Sequence, residues 1–244
     1  MLNCLHICGV FILTIPLGFI FLFVCVCSLF VNKKKAYKKE SKFYRFLLQW
    51  FTSCALWTVG VKIHVTGLDK LPQRESFLLV GNHVSNYDPI ITWKILKKRK
   101  MRFISKGSNF KIPFMGQLIH RCRFMEIDRE NPRNALKTIE LAADMLKNGE
   151  ACVGVYPEGT RSNTGEMLPF HNAVFKIAQK ANAPIVICAV RETGKVHKNA
   201  VWKRTHVYLD FLEVIPKESV QSMRTVEIGT KTKELIENHL QKKE

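Results

Sequence analysis

The chain has 244 residues, enough for one good-sized domain with an appendage. Its 38 Lys and Arg against 20 Asp and Glu leave a formal charge of +18, which calls for a polyanionic partner: nucleic acid, an anionic membrane surface or phosphorylated ligands. No zinc-finger, RNA-recognition or basic-zipper pattern is present, which argues against nucleic acid, and the eight cysteines, without a C-x-x-C pair, read as free, buried thiols in a reducing compartment with no metal site.

Residues 4–31 contain no Lys, Arg, Asp or Glu. About 20 apolar residues suffice to cross a bilayer as a helix, so this run predicts a membrane anchor. Pro16 should kink it, or split it into the two halves of a re-entrant hairpin. A cleaved signal peptide fits less well: there is no basic leading region, and no small-x-small site precedes the charges. Lys33, Lys34, Lys35, Lys38, Lys39, Lys42 and Arg45 follow. By the positive-inside rule they place the rest of the chain on the cytoplasmic side of the cell membrane, and they suit anionic headgroups. Residues 42–60 form a predicted helix rich in Phe43, Phe46, Leu47, Trp50, Phe51, Leu56 and Trp57. It reads as interfacial, with an ordinary core helix as the alternative. Residues 1–60 are therefore expected to be anchor and interfacial helix, and residues 61–244 the cytoplasmic domain.

Val61 to Val65 alternates as a strand. Phe77 to Val80 is a buried strand stopped by Gly81-Asn82. Then come His83, four further residues, and Asp88-Pro89, a helix-start signal with Pro at the first helical position. That helix should run to Lys100. Met101 to Ser105 is a strand, followed by Lys106 and a loop holding Pro113 and Gly116. Residues 122–129 read as a further strand. Asn131-Pro132 opens a helix closed by Asn148-Gly149, and Ala151 to Tyr156 is a strand running into Pro157-Glu158-Gly159-Thr160-Arg161-Ser162. A helix from about 172 to 181, strands at 185–190 and 205–214 and a terminal helix at 222–242 complete the series. Strands alternating with helices imply an α/β fold with a single mixed, largely parallel sheet flanked by helices, behind an apolar membrane-anchoring helical segment.

Residues five apart on a continuous helix do not face each other, so a His83–Asp88 hydrogen bond needs the turn that the sequence supplies between them. Asp88 could then hold one imidazole nitrogen and leave the other free as a base. Read alone, Asp88 fits a helix cap, Arg129 a surface partner of Asp128 or Glu130, Glu158-Gly159 a turn and Lys106 a solvated lysine.

Taken together, four blocks in order resemble the glycerolipid acyltransferases. They are Asn82-His83-x4-Asp88, Phe124 through Arg129, Tyr156-Pro-Glu-Gly-Thr-Arg-Ser162 and Ala183-Pro-Ile-Val186. The resemblance covers roughly residues 60–215 and is nearest to the members that acylate 1-acylglycerol 3-phosphate. It implies acyl transfer from acyl-CoA or an acyl carrier protein thioester to a lipid acceptor, with no other cofactor and no metal, giving phosphatidic acid for phospholipid biosynthesis. It also implies roles. His83 is the base, oriented by Asp88, and Lys106 or nearby amides are oxyanion donors. Arg129 and Arg161 hold the phosphate, Gly159 and Thr160 belong to the same loop, and Glu158 fixes an arginine or contacts the glycerol. His171, where the family carries a basic residue, is a further phosphate contact. Ser108-Asn109, Ala173 and Tyr156 depart from the family pattern. Two alternatives stay open: the same chemistry on glycerol 3-phosphate, another lysophospholipid or an aminolipid, and a non-catalytic polybasic membrane-binding protein.

Overall fold

A computed structural model describes residues 2–162, 166–199 and 201–242, with side chains from residue 7 onward. Within these residues the chain begins with helices α1 (Leu2–Ile12), α2 (Thr14–Leu29) and α3 (Lys42–Thr58), followed by strand β1 (Val61–Thr66) and strand β2 (Leu78–Gly81). Next come α4 (Tyr87–Ile95), β3 (Arg102–Lys106), α5 (Gly107–Lys111), α6 (Met115–Arg121), β4 (Met125–Ile127), α7 (Pro132–Lys147) and β5 (Val153–Val155). The last elements are α8 (Lys176–Ala181), β6 (Ile185–Arg191), α9 (Gly194–Asn199), β7 (Thr205–Ile215), α10 (Lys217–Ser222) and α11 (Thr225–Gln241).

The strands form a seven-stranded sheet in the order β1-β7-β6-β2-β5-β3-β4. All neighbours are parallel except β6 and β7, which run antiparallel. The expected mixed, largely parallel sheet is therefore present. Burial on both faces explains the unbroken apolar strands. Leu78, Val80, Ile185 and Ile187 pack on one face against α7, α8 and α11, while Phe77, Leu79, Val186 and Cys188 pack on the other. Successive side chains thus divide between two cores, as strand geometry requires. The second core receives Leu47, Leu48 and Leu56 of α3 together with Ile91 and Trp93 of α4. One face of α3 is hence a core face, while Phe43, Phe46 and Trp57 on its remainder stay exposed.

The apolar N-terminus departs from a continuous span. It breaks at Leu13, before Pro16, because a proline in the first turn of α2 has no N–H for the Ile12 carbonyl. The longer piece, the 16-residue α2, is about 24 Å long, short of the roughly 30 Å hydrocarbon core. Among the described residues no helix is long and apolar enough to cross a membrane. Helix α2 instead runs antiparallel to α3: the Tyr44 hydroxyl donates to the Cys27 carbonyl at 2.9 Å, and Phe21 meets Phe51. Gly9 of α1 lies against the Trp57 indole.

Other boundaries move for local reasons. Helix α4 starts at Tyr87 with Asn86 as its cap, so Pro89 is its third residue and Asp88 its second. The stretch after Lys106 is not a loop but the helices α5 and α6. Strand β4 spans only Met125–Ile127, because Cys122 closes α6 and Arg123 turns the chain with φ 58°. Helix α9 lacks an apolar repeat long enough to be read from sequence; Val196 is its one buried residue.

Candidate active site

Strands β2, β5 and β6 run side by side, and their carboxyl ends deliver three segments to one place. Crevices outside these ends are where open α/β sheets bind ligands. Strand β2 ends in Gly81, whose hydrogen in place of a Cβ admits the Cys188 sulfur; a Cβ there would come within 2.8 Å of it. Asn82 then clips the turn to β6, donating to the Val190 carbonyl at 2.9 Å and accepting from the Val190 amide at 2.8 Å.

Asp88 is fully buried and all its hydrogen-bonding capacity faces donors. Its Oδ2 accepts from the amides of Val84 (2.7 Å) and Ser85 (2.8 Å) and meets His83 Nδ1 at 2.9 Å. Its Oδ1 accepts from the Thr193 hydroxyl at 2.5 Å. Because the two amides can only donate, the carboxylate is the acceptor throughout, and His83 must carry its proton on Nδ1. Nε2 is left with a free lone pair facing the cleft. The imidazole stacks on Tyr156 with ring centroids 4.6 Å apart at 20°. Burial, then the nearby Asp88 and Cys188, pushes the Tyr156 phenol well above its ordinary range, so it stays neutral beneath the ring.

Glu158 is placed differently from expectation. It is buried, and its Oε1 accepts from the His83 amide at 2.6 Å while Oε2 accepts from the Leu168 amide at 2.9 Å. It therefore ties the loop after β5 to the His83 turn and bonds neither arginine. Burial raises its carboxyl above the usual range, against the pull of those two amides. The Ser162 amide adds a second tie, donating to the His83 carbonyl at 3.1 Å.

His83, Lys106, Arg129, Gly159, Thr160 and Arg161 line one cleft of about 440 Å³, within the usual range for small-molecule sites. Asp88 and Glu158 sit behind it. Arg129 does not pair with its neighbours: Asp128 is occupied by the amides of Glu130 and Asn131 and by the Asn134 side chain. Among the described residues Lys106, Arg129 and Arg161 form no ion pair. Burial holds the Arg129 guanidinium below its usual range without threatening its charge. Gly159 adopts φ +71°, and a Cβ there would lie 3.0 Å from the His171 ring and 3.7 Å from Arg129 Cζ. His171 thus stands at the same rim. The other arm of the cleft is apolar, formed by Leu48, Trp93, Phe103, Met115, Ile119 and Phe124.

Thr193 and the stacked Tyr156 escape sequence reasoning. Thr193 is 105 positions from Asp88, and only the place of β6 beside β2 brings them together. Ser85 bonds within the turn, accepting from the Tyr87 amide at 3.3 Å, as a non-nucleophilic serine should. Cys188 is core, its thiol pushed up to about 12 by burial. Cys122 and Cys152 are buried with it, but Cys25, Cys27 and Cys54 are only partly covered and Cys8 is exposed, against the expectation that the thiols are buried; Cys4 lies outside the residues whose side chains are described. Among the described residues no group of three or more His, Cys, Asp or Glu could hold a metal ion.

A chloroplastic 1-acyl-sn-glycerol-3-phosphate acyltransferase of Brassica napus is 31% identical over 156 residues, covering 64% of this chain and 44% of that protein. The enzyme of that name from Borreliella burgdorferi is 26% identical over 179 residues, covering 69% and 71%. The match thus spans less than half of the chloroplastic relative. The crystal structure of a 1-acyl-sn-glycerophosphate acyltransferase from Thermotoga maritima shares the fold, with a TM-score of 0.68 over 98% of this chain and 95% of that one at 22% identity. The Acyltransferase family profile matches residues 62–191, from β1 to the last residue of β6, and so includes His83, Asp88, Lys106, Arg129 and the 158–161 loop. Covered over more than half its length by that profile, the chain belongs to the Acyltransferase family.

Proposed function

We propose that this protein moves a fatty acyl group from an acyl-thioester, acyl-CoA or acyl carrier protein, to the sn-2 hydroxyl of 1-acylglycerol 3-phosphate, giving phosphatidic acid. The observation that carries the reading is the cleft's division into three parts: a histidine with a free Nε2, three cations without carboxylate partners, and an apolar arm. A lysophosphatidate presents the matching set of hydroxyl, phosphate and chain. The names of the relatives support this acceptor.

The chemistry follows from the tautomer. His83 Nε2 takes the proton as the acceptor oxygen attacks the thioester carbonyl. The imidazolium is stabilised by the Asp88 carboxylate. Lys106, which lines the same cleft, offers a donor to the oxyanion in this reading. The intermediate collapses by breaking the C–S bond, and the thiolate leaves with the proton that His83 holds. No enzyme nucleophile and no metal or other cofactor is called for, because the acceptor supplies the attacking oxygen. Arg129 and Arg161 bind the phosphate through guanidinium forks, with Gly159 and Thr160 shaping the approach.

The N-terminus supports a membrane-bound enzyme. Phe11, Ile12, Leu13, Ile15, Phe19, Leu22, Phe23, Leu29 and Phe30 are exposed. Such a contiguous apolar surface marks a membrane contact. In this reading α1 and α2 dip into one leaflet without crossing, and the exposed Lys33, Lys34, Lys35, Lys38, Lys39 and Lys42 rest on the cytoplasmic headgroups, while Arg45 turns inward to Glu40 and the Trp93 ring.

The test is acyl transfer by the purified full chain in lipid, with labelled acyl-thioester and a panel of lysophosphatidate, glycerol 3-phosphate and several lysophospholipids. Diacyl phosphate product from lysophosphatidate alone is expected. Product only from another acceptor would keep His83 as base and overturn the role given to Arg129 and Arg161. No transfer with any acceptor would leave the membrane-binding alternative.

A further inference from the structure

Beyond Thr193, the stretch between β6 and β7 plays no part in the chemistry above, yet it stands at the catalytic end of the sheet. It leaves β6 through Thr193, which bonds Asp88, and through Gly194, where a Cβ would meet Val84 at 3.4 Å. It therefore starts beside the His83 turn. It returns to β7 at Thr205, whose amide donates to the Gly60 carbonyl at 3.1 Å, while the Gly60 amide donates to the Trp57 carbonyl at 2.9 Å. The Trp57 indole in turn lies against Gly9 of α1. One continuous series of contacts thus runs from the base, through this segment, to the apolar N-terminal helices.

The segment is closed at its root, where Asn199 Nδ2 donates to Thr205 Oγ1 at 2.8 Å and the Trp202 amide donates to the Asn199 carbonyl at 3.1 Å. That closure turns Trp202 outward with 65% of its surface exposed. Lys198, Lys203 and Arg204 flank it and have no carboxylate partner among the described residues, whereas Lys195 is bonded to Glu192. An exposed indole beside unpaired cations fits the boundary between headgroups and acyl chains, where the ring is half buried and the charges meet phosphates.

We propose that Val201 to Arg204, with Lys198, is a second membrane contact that seats the catalytic end of the sheet on an anionic lipid surface. It rests on the membrane-bound reading and adds a point of contact far along the chain from α1 and α2. Its role is to hold the mouth of the cleft at the level where a lipid acceptor's phosphate and glycerol lie. A docking site for an acidic carrier protein would use the same cations but leaves the outward indole without a purpose.

The test uses the full chain with vesicles of phosphatidylcholine, with and without phosphatidylglycerol, carrying brominated acyl chains that quench tryptophan. Flotation reports membrane binding as a whole, and quenching reports the depth of the indoles. The parent chain is expected to float with both vesicles. Trp202→Phe should float equally and lose a bromine-quenched component of the emission. Joint reversal of Lys198, Lys203 and Arg204 to Glu should remove the increase in quenching that phosphatidylglycerol brings, with the thermal melt unchanged. Flotation with Trp202→Phe quenched like the parent overturns this contact alone. Failure of the parent to float overturns the membrane-bound reading and this contact together. Full quenching in the charge-reversed variant, with activity lost only for the carrier-protein thioester, would make the patch a protein-docking surface instead.

Discussion

The two sets of polar residues at the cleft are built on opposite principles. Around His83 and Asp88 the polar atoms are buried and already partnered: Asp88 has four donors, Glu158 two, and Asn82 two bonds to β6. Lining the same cleft, Lys106, Arg129 and Arg161 have no ionic partner among the described residues. A base must be held in one tautomer before substrate arrives, so its partners belong to the protein. A binding cation gains most if its partner is the substrate, because a protein carboxylate would have to be displaced first. The contrast teaches which residues are set by the fold and which await a ligand.

The largest expected effect breaks the partnered side at its working atom. His83→Ala should lower kcat/KM by about 10²–10⁴, the usual weight of a positioned general base, with an unchanged thermal melt. Activity equal to the parent would remove His83 as the base. Asp88→Asn should lower kcat by a similar order and also lower the melting temperature. An amide there can keep its oxygen toward His83 and the two amides and donate to the Thr193 hydroxyl, but it loses the charge that strengthens these buried bonds. Loss of stability with full activity would reduce Asp88 to a helix-end device.

On the other side the signature reverses. Arg129→Ala or Arg161→Ala should raise the acceptor KM about 10- to 100-fold, since a charge-assisted hydrogen bond contributes about 1.5–3 kcal/mol, and should leave the melt within about 0.5 kcal/mol. A fall in kcat alone would mean that they serve the transition state instead. Thr193→Val sharpens the comparison from behind the base. Losing one of the donors to Asp88 should lower kcat by roughly tenfold, at an acceptor KM near the parent's, and Thr193→Ser should restore it.

The smallest effect belongs to a carboxylate outside the cleft. Burial pushes Asp210 up, but hydrogen bonds from His239, Thr66 and Arg191 pull it further down, so its net position is below the usual range. A depressed carboxyl contributes stability above its unfolded value of about 3.9, and that stability is lost as pH falls through the lower folded value. Urea midpoints followed from neutral pH downward should fall steeply below about pH 4 in the parent and less steeply in Asp210→Asn. Parallel curves would show that Asp210 does not link β7 to the C-terminal helix in the way its bonds suggest.

How far the sequence carried these conclusions depended on how local each determinant was. The seven strands were readable because apolar runs, or apolar residues alternating with polar ones, lie between turn residues, and α7 because Asn131-Pro132 and Asn148-Gly149 punctuate it. The His83–Asp88 pair was readable because the turn and both partners lie within six residues. Short elements were not: α5, α6 and α9 have too few residues to show a period. The proline at 16 announced a break but not its place, since the strain falls on the carbonyl four residues earlier. Only tertiary structure could assign Glu158 to the His83 and Leu168 amides, or bring Thr193 to Asp88. Those contacts follow from β6 and β5 both lying beside β2, an order that no local pattern encodes. The sequence by itself determined which groups could carry the chemistry, because that is a property of side chains. The sheet order decided which of them stand behind the base and which face the substrate, because that depends on where distant strand ends meet.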